Sequence, residues 1–306
     1  MKQIRMFCCF VLVLLMSVSC STEKLLNEAP NDPLSVTMQV AVSEDTVPVS
    51  DVQSQEAFEE LNRQLLLLNE VYPAEIQERG RIWNWFKRII LGDVLGACLG
   101  ACLTWNPVGS LLFGILGSVN GCLYEYNQPN STTYVIEVPA VNPNFNSMSL
   151  TNVVNSGYVH NMVISDIFET CGDELYTMTD SELRSEIIEG LEHYMPITNA
   201  LKTTFRSDIT NKRILNDAIR NYGVISSEAI LYNIQNTYPE VSSELQTLSI
   251  FCDHYSGLLN ESTRDSYTSS FISTVNTSAI STNSKNLIVS SVSIANYSTK
   301  LWVEVQ

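Results

Sequence analysis

Between Ile89 and Tyr124 the chain is almost without charge. It reads IILGDVLGACLGACLTW, then Asn106-Pro107, then VGSLLFGILGSVNGCLY, and Asp93 is its one ionisable carboxylate. Asn106-Pro107 is a turn signal, so the stretch is expected to form two short apolar helices folded back on each other. The small residues recur at helical spacing. Gly92, Gly96 and Gly100 follow every four residues with Ala97 and Ala101 beside them, and Gly114, Gly117, Ser118 and Gly121 form the matching face across the turn. Seven of the chain's thirteen glycines lie here. A glycine inside a helix costs about 1 kcal/mol against alanine, so the pattern needs a compensating reason. Close approach of two helix backbones supplies it, as in the small-xxx-small pairs of membrane helices. Leu95, Leu99, Leu103, Leu112, Phe113 and Leu116 make both helices apolar all round, which requires burial in protein or in lipid.

The first nineteen residues have the form of a processing signal. Lys2 and Arg5 give a basic start and Phe10–Leu15 an apolar run. Ser17-Val18-Ser19-Cys20 then resembles the lipobox of bacterial lipoproteins, in a relaxed form like that of Bacteroidetes. The resemblance implies cleavage before Cys20 and diacylation of its sulfur. Ser21 in place of Asp lacks the common signal for inner-membrane retention, which implies the outer membrane. The whole chain has 17 basic and 33 acidic residues; with Lys2 and Arg5 removed, 15 face 33, about −18. That balance opposes binding to nucleic acid or anionic lipid. Of the eight cysteines, Cys98, Cys102, Cys122, Cys171 and Cys252 remain beyond Cys20, an odd number without framework spacing. They are expected to be mostly free, buried thiols.

From residue 20 to about 50 the chain is polar and interrupted by Pro30, Pro33 and Pro48, as a flexible tether would be. Asp45-Thr46-Val47 resembles an O-glycan sequon of Bacteroidetes. A helix is expected from Ser54 to about Val71, with Phe58, Leu61, Leu65, Leu68 and Tyr72 on one stripe facing a core. Arg79, Arg81, Trp83, Trp85, Lys87 and Arg88 form a basic, aromatic collar before the hairpin, which suits a membrane interface and equally an amphipathic helix start. Residues 51–127 thus form an N-terminal helix plus hairpin, and residues 128–150 an extended, proline-containing linker with one short edge strand in Thr132–Val138. Residues 151–306 read as a C-terminal helical region. Its helices are expected at Asn161–Glu169, after the capping box Thr179-Asp180-Ser181-Glu182, and at Asn211–Tyr222, closed by Gly223. Further helices are expected at Ser227–Tyr238, Val241–Leu259, Asp265–Val275 and Thr282–Trp302. The fold class is mainly α.

Residues able to do chemistry are sparse. The histidines are His160, His193 and His254; none has a partner at metal spacing, and no HExxH, CxxC, GxSxG, Walker lysine or dinucleotide fingerprint occurs. No metal site and no cofactor are expected. Cys252-Asp253-His254 are neighbours in a helix and so point in different directions. Glu189 and Glu192 read as solvated charges. The most particular string is Asn155-Ser156-Gly157-Tyr158-Val159-His160-Asn161. Gly157 there permits a tight approach or a positive φ, and His160 and Asn161 sit at a helix start, able to cap it or hold a loop, without a nucleophile or acid partner in the sequence.

The order of these features resembles a family of uncharacterised lipid-anchored or secreted proteins of Bacteroidales. It runs from a lipoprotein signal and a leucine-stripe helix to a Gly/Ala-rich hairpin opened by Gly92-Asp93-Val94-Leu95-Gly96-Ala97. A proline-containing linker, a Gly-x-x-His-Asn string and a serine-rich helix ending near Trp302 complete it. The resemblance implies no catalytic residue. The chain is therefore expected to be a non-enzymatic lipoprotein of the cell envelope, held in the membrane by the lipid on Cys20. Its expected partner is a protein or an envelope polymer. The alternative is a membrane-inserting protein, toxin- or bacteriocin-like, that uses hairpin 89–124; there Asp93 is costly unless it stays at the interface.

Overall fold

In the computed structural model, residues 51–74, 81–104, 106–126, 134–136, 155–221, 234–258 and 260–304 are described. For residues 51–53, 81–90, 125–126, 134–136 and 302–304 the description is of the backbone alone. Cys20, the tether, the Asp45 sequon, Arg79, most of the 128–150 linker and Gly223 lie outside the described residues, as does most of the helix expected at Ser227–Tyr238. The fold is mainly α. Its helices are α1 (Asp51–Val71), α2 (Arg81–Thr104), α3 (Pro107–Tyr126), α4 (Ser156–Cys171), α5 (Asp180–Glu192), α6 (Asn199–Ser207), α7 (Ile209–Asn221), α8 (Ser242–Tyr255), α9 (Glu261–Thr277) and α10 (Thr282–Leu301). The short strands β1 (Tyr134–Ile136) and β2 (Trp302–Glu304) pair antiparallel, with Val135 opposite Val303.

The α2–α3 hairpin is the centre of the fold, and it is longer than the apolar run because the collar from Arg81 onward continues the first helix. Asn106 starts α3: its side chain accepts from the Val108 N–H at 2.8 Å, and Pro107 occupies the first helical position, where no N–H is needed. The two helices touch backbone to backbone. A methyl group on Gly96 would stand 2.1 Å from the Phe113 carbonyl oxygen, one on Gly100 2.1 Å from that of Gly109, and one on Gly92 2.8 Å from that of Gly117. The small-residue face is thus real, with one addition, Gly109. Gly114 lies on it, its Cα 3.2 Å from where a Gly96 Cβ would be, and its own Cβ would meet Ile294 of α10 at 3.3 Å and Ala97 at 3.6 Å. Gly121 is buried in the last turns of α3.

The other helices enclose the hairpin. α10 starts beside its tip, where Asn283 and Leu287 line one small hollow with Ala101, Pro107 and Ser110. It reaches Gly114 at Ile294, so α10 runs parallel to α3. α4 lies along α10, also parallel, with Gly157 against Ser293 and Asn161 bonded to Tyr297. α5, α6 and α7 cover the remaining sides; Phe205 of α6 meets Phe113 edge to face, and the Asn211 amide of α7 donates to the Leu99 carbonyl at 3.3 Å. α1 packs on α8 and α9 through the expected stripe: Phe58, Leu61 and Leu65 are buried, while Leu68 and Tyr72 are half-buried. The described residues form one compact unit.

Several element boundaries differ from expectation. The helix expected from Asn161 begins at Ser156, and α10 ends at Leu301 because Trp302 joins β2. α6 was not expected; its signals were Thr198 as an N-cap, which accepts from the Leu201 N–H, and the buried Leu201–Phe205 pair. The Thr179 capping box is present in full.

Candidate functional site

Where α2, α3, α4 and α10 run side by side, the apolar interior is interrupted by a polar layer. α2 contributes Asp93, which lies mid-helix and fully enclosed. α4 contributes His160, also fully enclosed, with its Nε2 3.5 Å from Asp93 Oδ1. His160 therefore has the acid partner that local sequence did not show. The placement of His160 and Asn161 at a helix start is corrected as well. Both lie in the second turn of α4, where they face neighbouring helices and cap nothing.

Asn161 fixes the orientation of the histidine. Its amide nitrogen donates to the Tyr297 carbonyl at 2.7 Å, so its oxygen is turned to His160 Nδ1, 3.1 Å away. A carboxamide oxygen only accepts, so Nδ1 carries the hydrogen and Nε2 is directed at Asp93. Gly157 makes this arrangement possible. Its Cβ would stand 2.3 Å from the Ser293 carbonyl oxygen, so the helices approach as closely as their backbones allow, and its N–H donates to Ser293 Oγ at 3.1 Å. Of the two roles expected for Gly157, tight approach is the one it fills.

Three serines complete the layer. Ser118 follows one turn after Gly114 and Ser298 one turn after Ile294, the point at which α3 and α10 touch, and both are fully buried. Ser156 lies one turn before His160 on the same face of α4 and is buried too. Neither oxygen of Asp93, nor His160 Nε2, nor the hydroxyls of Ser118, Ser156 and Ser298 has a hydrogen-bond partner. Buried polar groups are paired in the great majority of cases, so their concentration here is the most unusual feature of the interior.

The remaining candidates resolve into structure. Cys98 and Cys102 share a face of α2 with their sulfurs 3.9 Å apart; the neighbouring thiol and burial together push Cys98 well above the ordinary thiol range. Burial alone pushes Cys122 up to about 12. All five described cysteines are free, and no cluster of three metal-ligating side chains occurs among the described residues. His254 faces the Tyr72 carbonyl, tying α8 to the end of α1, and burial lowers its pKa. Glu189 and Glu192 are exposed, Glu192 in an ion pair with Lys202. A second polar network joins Tyr255, Thr268 and Asn296, and ends at the Asp265–Lys300 ion pair of 2.7 Å. It pins α8 and α9 to α10.

What sequence reasoning missed is the meeting of Asp93 and His160. The signal for Asp93 was its isolation in an apolar run, which marks a buried carboxylate in need of a partner. No family model matches the chain, and no curated protein or solved structure matches it.

Proposed function

We propose that the chain is a lipid-anchored protein of the bacterial cell envelope, held in the outer membrane by the lipid on Cys20, that works by binding and not by catalysis. The observation that carries this reading is the placement of its polar chemistry. Asp93, His160 and Asn161 are enclosed between helices, where no substrate reaches them, whereas α1 offers an apolar edge on the outside. Leu67 and Val71, one turn apart on the side of α1 away from the Phe58–Leu65 stripe, are 48% and 69% exposed, and Leu66 beside them is 55% exposed. Exposed Glu60 and Glu70 flank that edge. Exposed apolar side chains gathered with a charged rim are what a protein partner covers. The test is a photo-crosslinker at Val71 in the anchored protein, in the cells that make it. A discrete adduct that disappears with Leu67→Asp supports the reading; no adduct, or one indifferent to Leu67→Asp, overturns it. Mass spectrometry of the mature N-terminus tests the lipid on Cys20.

A second reading, insertion of the hairpin into a bilayer, is favoured by one observation. Pro107–Tyr124 is long and apolar enough to cross a membrane, and most of it is buried within the fold. One such segment is equally the core helix of a water-soluble fold, and the acidic exterior repels anionic lipid. Release of dye from neutral and anionic vesicles by the Cys20→Ser protein tests it; intact vesicles count against insertion.

A further inference from the structure

We infer that the joint between the α2–α3 hairpin and the α4–α10 pair is a separable interface: the hairpin is uncovered as an intact unit when α4 and α10 lift away together, carrying α8 and α9, which the Tyr255–Asn296–Asp265 network holds to α10, and the polar layer around Asp93 and His160 sets how often this happens. The inference deepens the insertion reading, for which it supplies the moving parts, but it concerns the protein in water and stands without a membrane.

The three surfaces involved are built differently. Inside the hairpin, glycine brings backbone onto backbone between Gly96 and Phe113 and between Gly100 and Gly109, and the one hydroxyl at that second contact, Thr104, is satisfied by the Gly100 carbonyl at 2.7 Å. Between α4 and α10, polar groups are matched. Ser293 Oγ accepts the Gly157 N–H, Tyr297 O accepts the Asn161 amide, and the Tyr158 and Tyr297 rings meet edge to face. Across the remaining joint, Asp93, Ser110 and Ser118 on the hairpin and Ser156, His160 and Ser298 on its cover are all buried with polar atoms that no hydrogen bond satisfies. Ser110 lies one turn before Gly114, on the side of α3 that meets α10. Desolvation of such groups opposes closure, and every one of them regains water when the joint opens. Two well-made units therefore meet at a poorly satisfied surface, and separation follows that surface.

The test uses the protein's own thiols in the full mature chain carrying Cys20→Ser. Cys122 follows Ser118 by one turn on α3, and Cys98 lies beside Glu244 and Cys252 of α8, so a water-soluble maleimide read by peptide mass spectrometry at these two thiols reports loss of the cover on both sides of the hairpin. Hydrogen exchange on the same sample reports whether α2 and α3 keep their amides protected. Expected for the unmodified layer is labelling of the hairpin thiols faster than global unfolding, with the hairpin amides still protected. The double variant Ser118→Ala/Ser298→Ala, which removes two unsatisfied hydroxyls at little change in volume, should slow that labelling about tenfold. His160→Leu, which strands Asp93, should speed it by about the same factor. Labelling only at the global unfolding rate overturns the inference, as does an alanine pair that labels as fast as the parent. The vesicle dye-release assay keeps the two ideas apart: fast thiol labelling with intact vesicles removes insertion and leaves the separable joint standing.

Discussion

Asp93 of the central hairpin and His160 of the helix outside it face each other at 3.5 Å with no solvent on either side chain. The contact joins the two features that stand out most in the chain, an acid in an apolar run and a histidine in a Gly-x-x-His-Asn string. Its consequences extend to how the interior is assembled, and four measurements examine that assembly.

The hairpin glycines differ in kind. Gly96→Ala places a methyl 2.1 Å from a backbone carbonyl that only a parting of the helices can relieve. A loss of about 3 kcal/mol is expected, the upper end for overpacking. Gly114→Ala meets the end of Ile294, a flexible side chain, at 3.3 Å and the Ala97 methyl at an ordinary 3.6 Å, and gains helix propensity of about 1 kcal/mol, so its net effect is close to zero. Urea midpoints of the two variants check this; equal losses would refute the backbone-contact account.

Gly157→Ala should act on the cover and not on the hairpin. Its methyl would reach the Ser293 carbonyl oxygen at 2.3 Å and the Tyr297 ring at 2.6 Å, prising α4 from α10. A destabilisation of roughly 2–3 kcal/mol is expected. Hydrogen exchange should rise in α4 and at the Tyr297 end of α10, with α8 and α9 unchanged.

Arg184 is buried with its guanidinium over the Phe205 ring. It donates to Asp180 Oδ2 at 2.9 Å and to the carbonyls of Phe205 and Asp208, closing the C-terminal end of α6. Arg184→Leu leaves those carbonyls and the half-buried Asp180 without it, at a cost of roughly 3 kcal/mol. Lys212, 3.0 Å from Asp180, retains part of the ion pairing, so the thermal melt should shift without loss of cooperativity.

Glu244 governs a pH dependence. Burial raises its pKa, against the hydrogen bond from Ser284 Oγ. A carboxyl raised on folding binds its proton more tightly in the native state, so its contribution is fully present below the ordinary glutamate value. It is lost as pH rises through the higher folded value. Glu244→Gln removes that loss. Relative to the parent, the variant should gain stability between about pH 4 and neutrality. A constant difference across that range would show that Glu244 does not titrate with folding.

Local patterns were readable wherever the determining interaction is short in sequence. The Phe58–Leu65 stripe, the Thr179 capping box and the Asn106-Pro107 turn each rest on residues within a few positions, and each appears as expected. The glycine face was legible for the same reason: period four on a helix places Gly92, Gly96 and Gly100 in line whatever lies opposite. Which residues oppose them depends on the register of the returning helix, which brings the unexpected Gly109 against Gly100.

The sequence by itself determined that this chain is mainly α, that an apolar hairpin had to be buried, and that its glycines mark close helix contact, because these follow from periodicity and composition. Only the tertiary structure decided what covers the hairpin, where α10 runs, and that Asp93 meets His160. Those outcomes depend on helices far apart in the chain choosing a common register, and no local pattern encodes the partner of a buried charge.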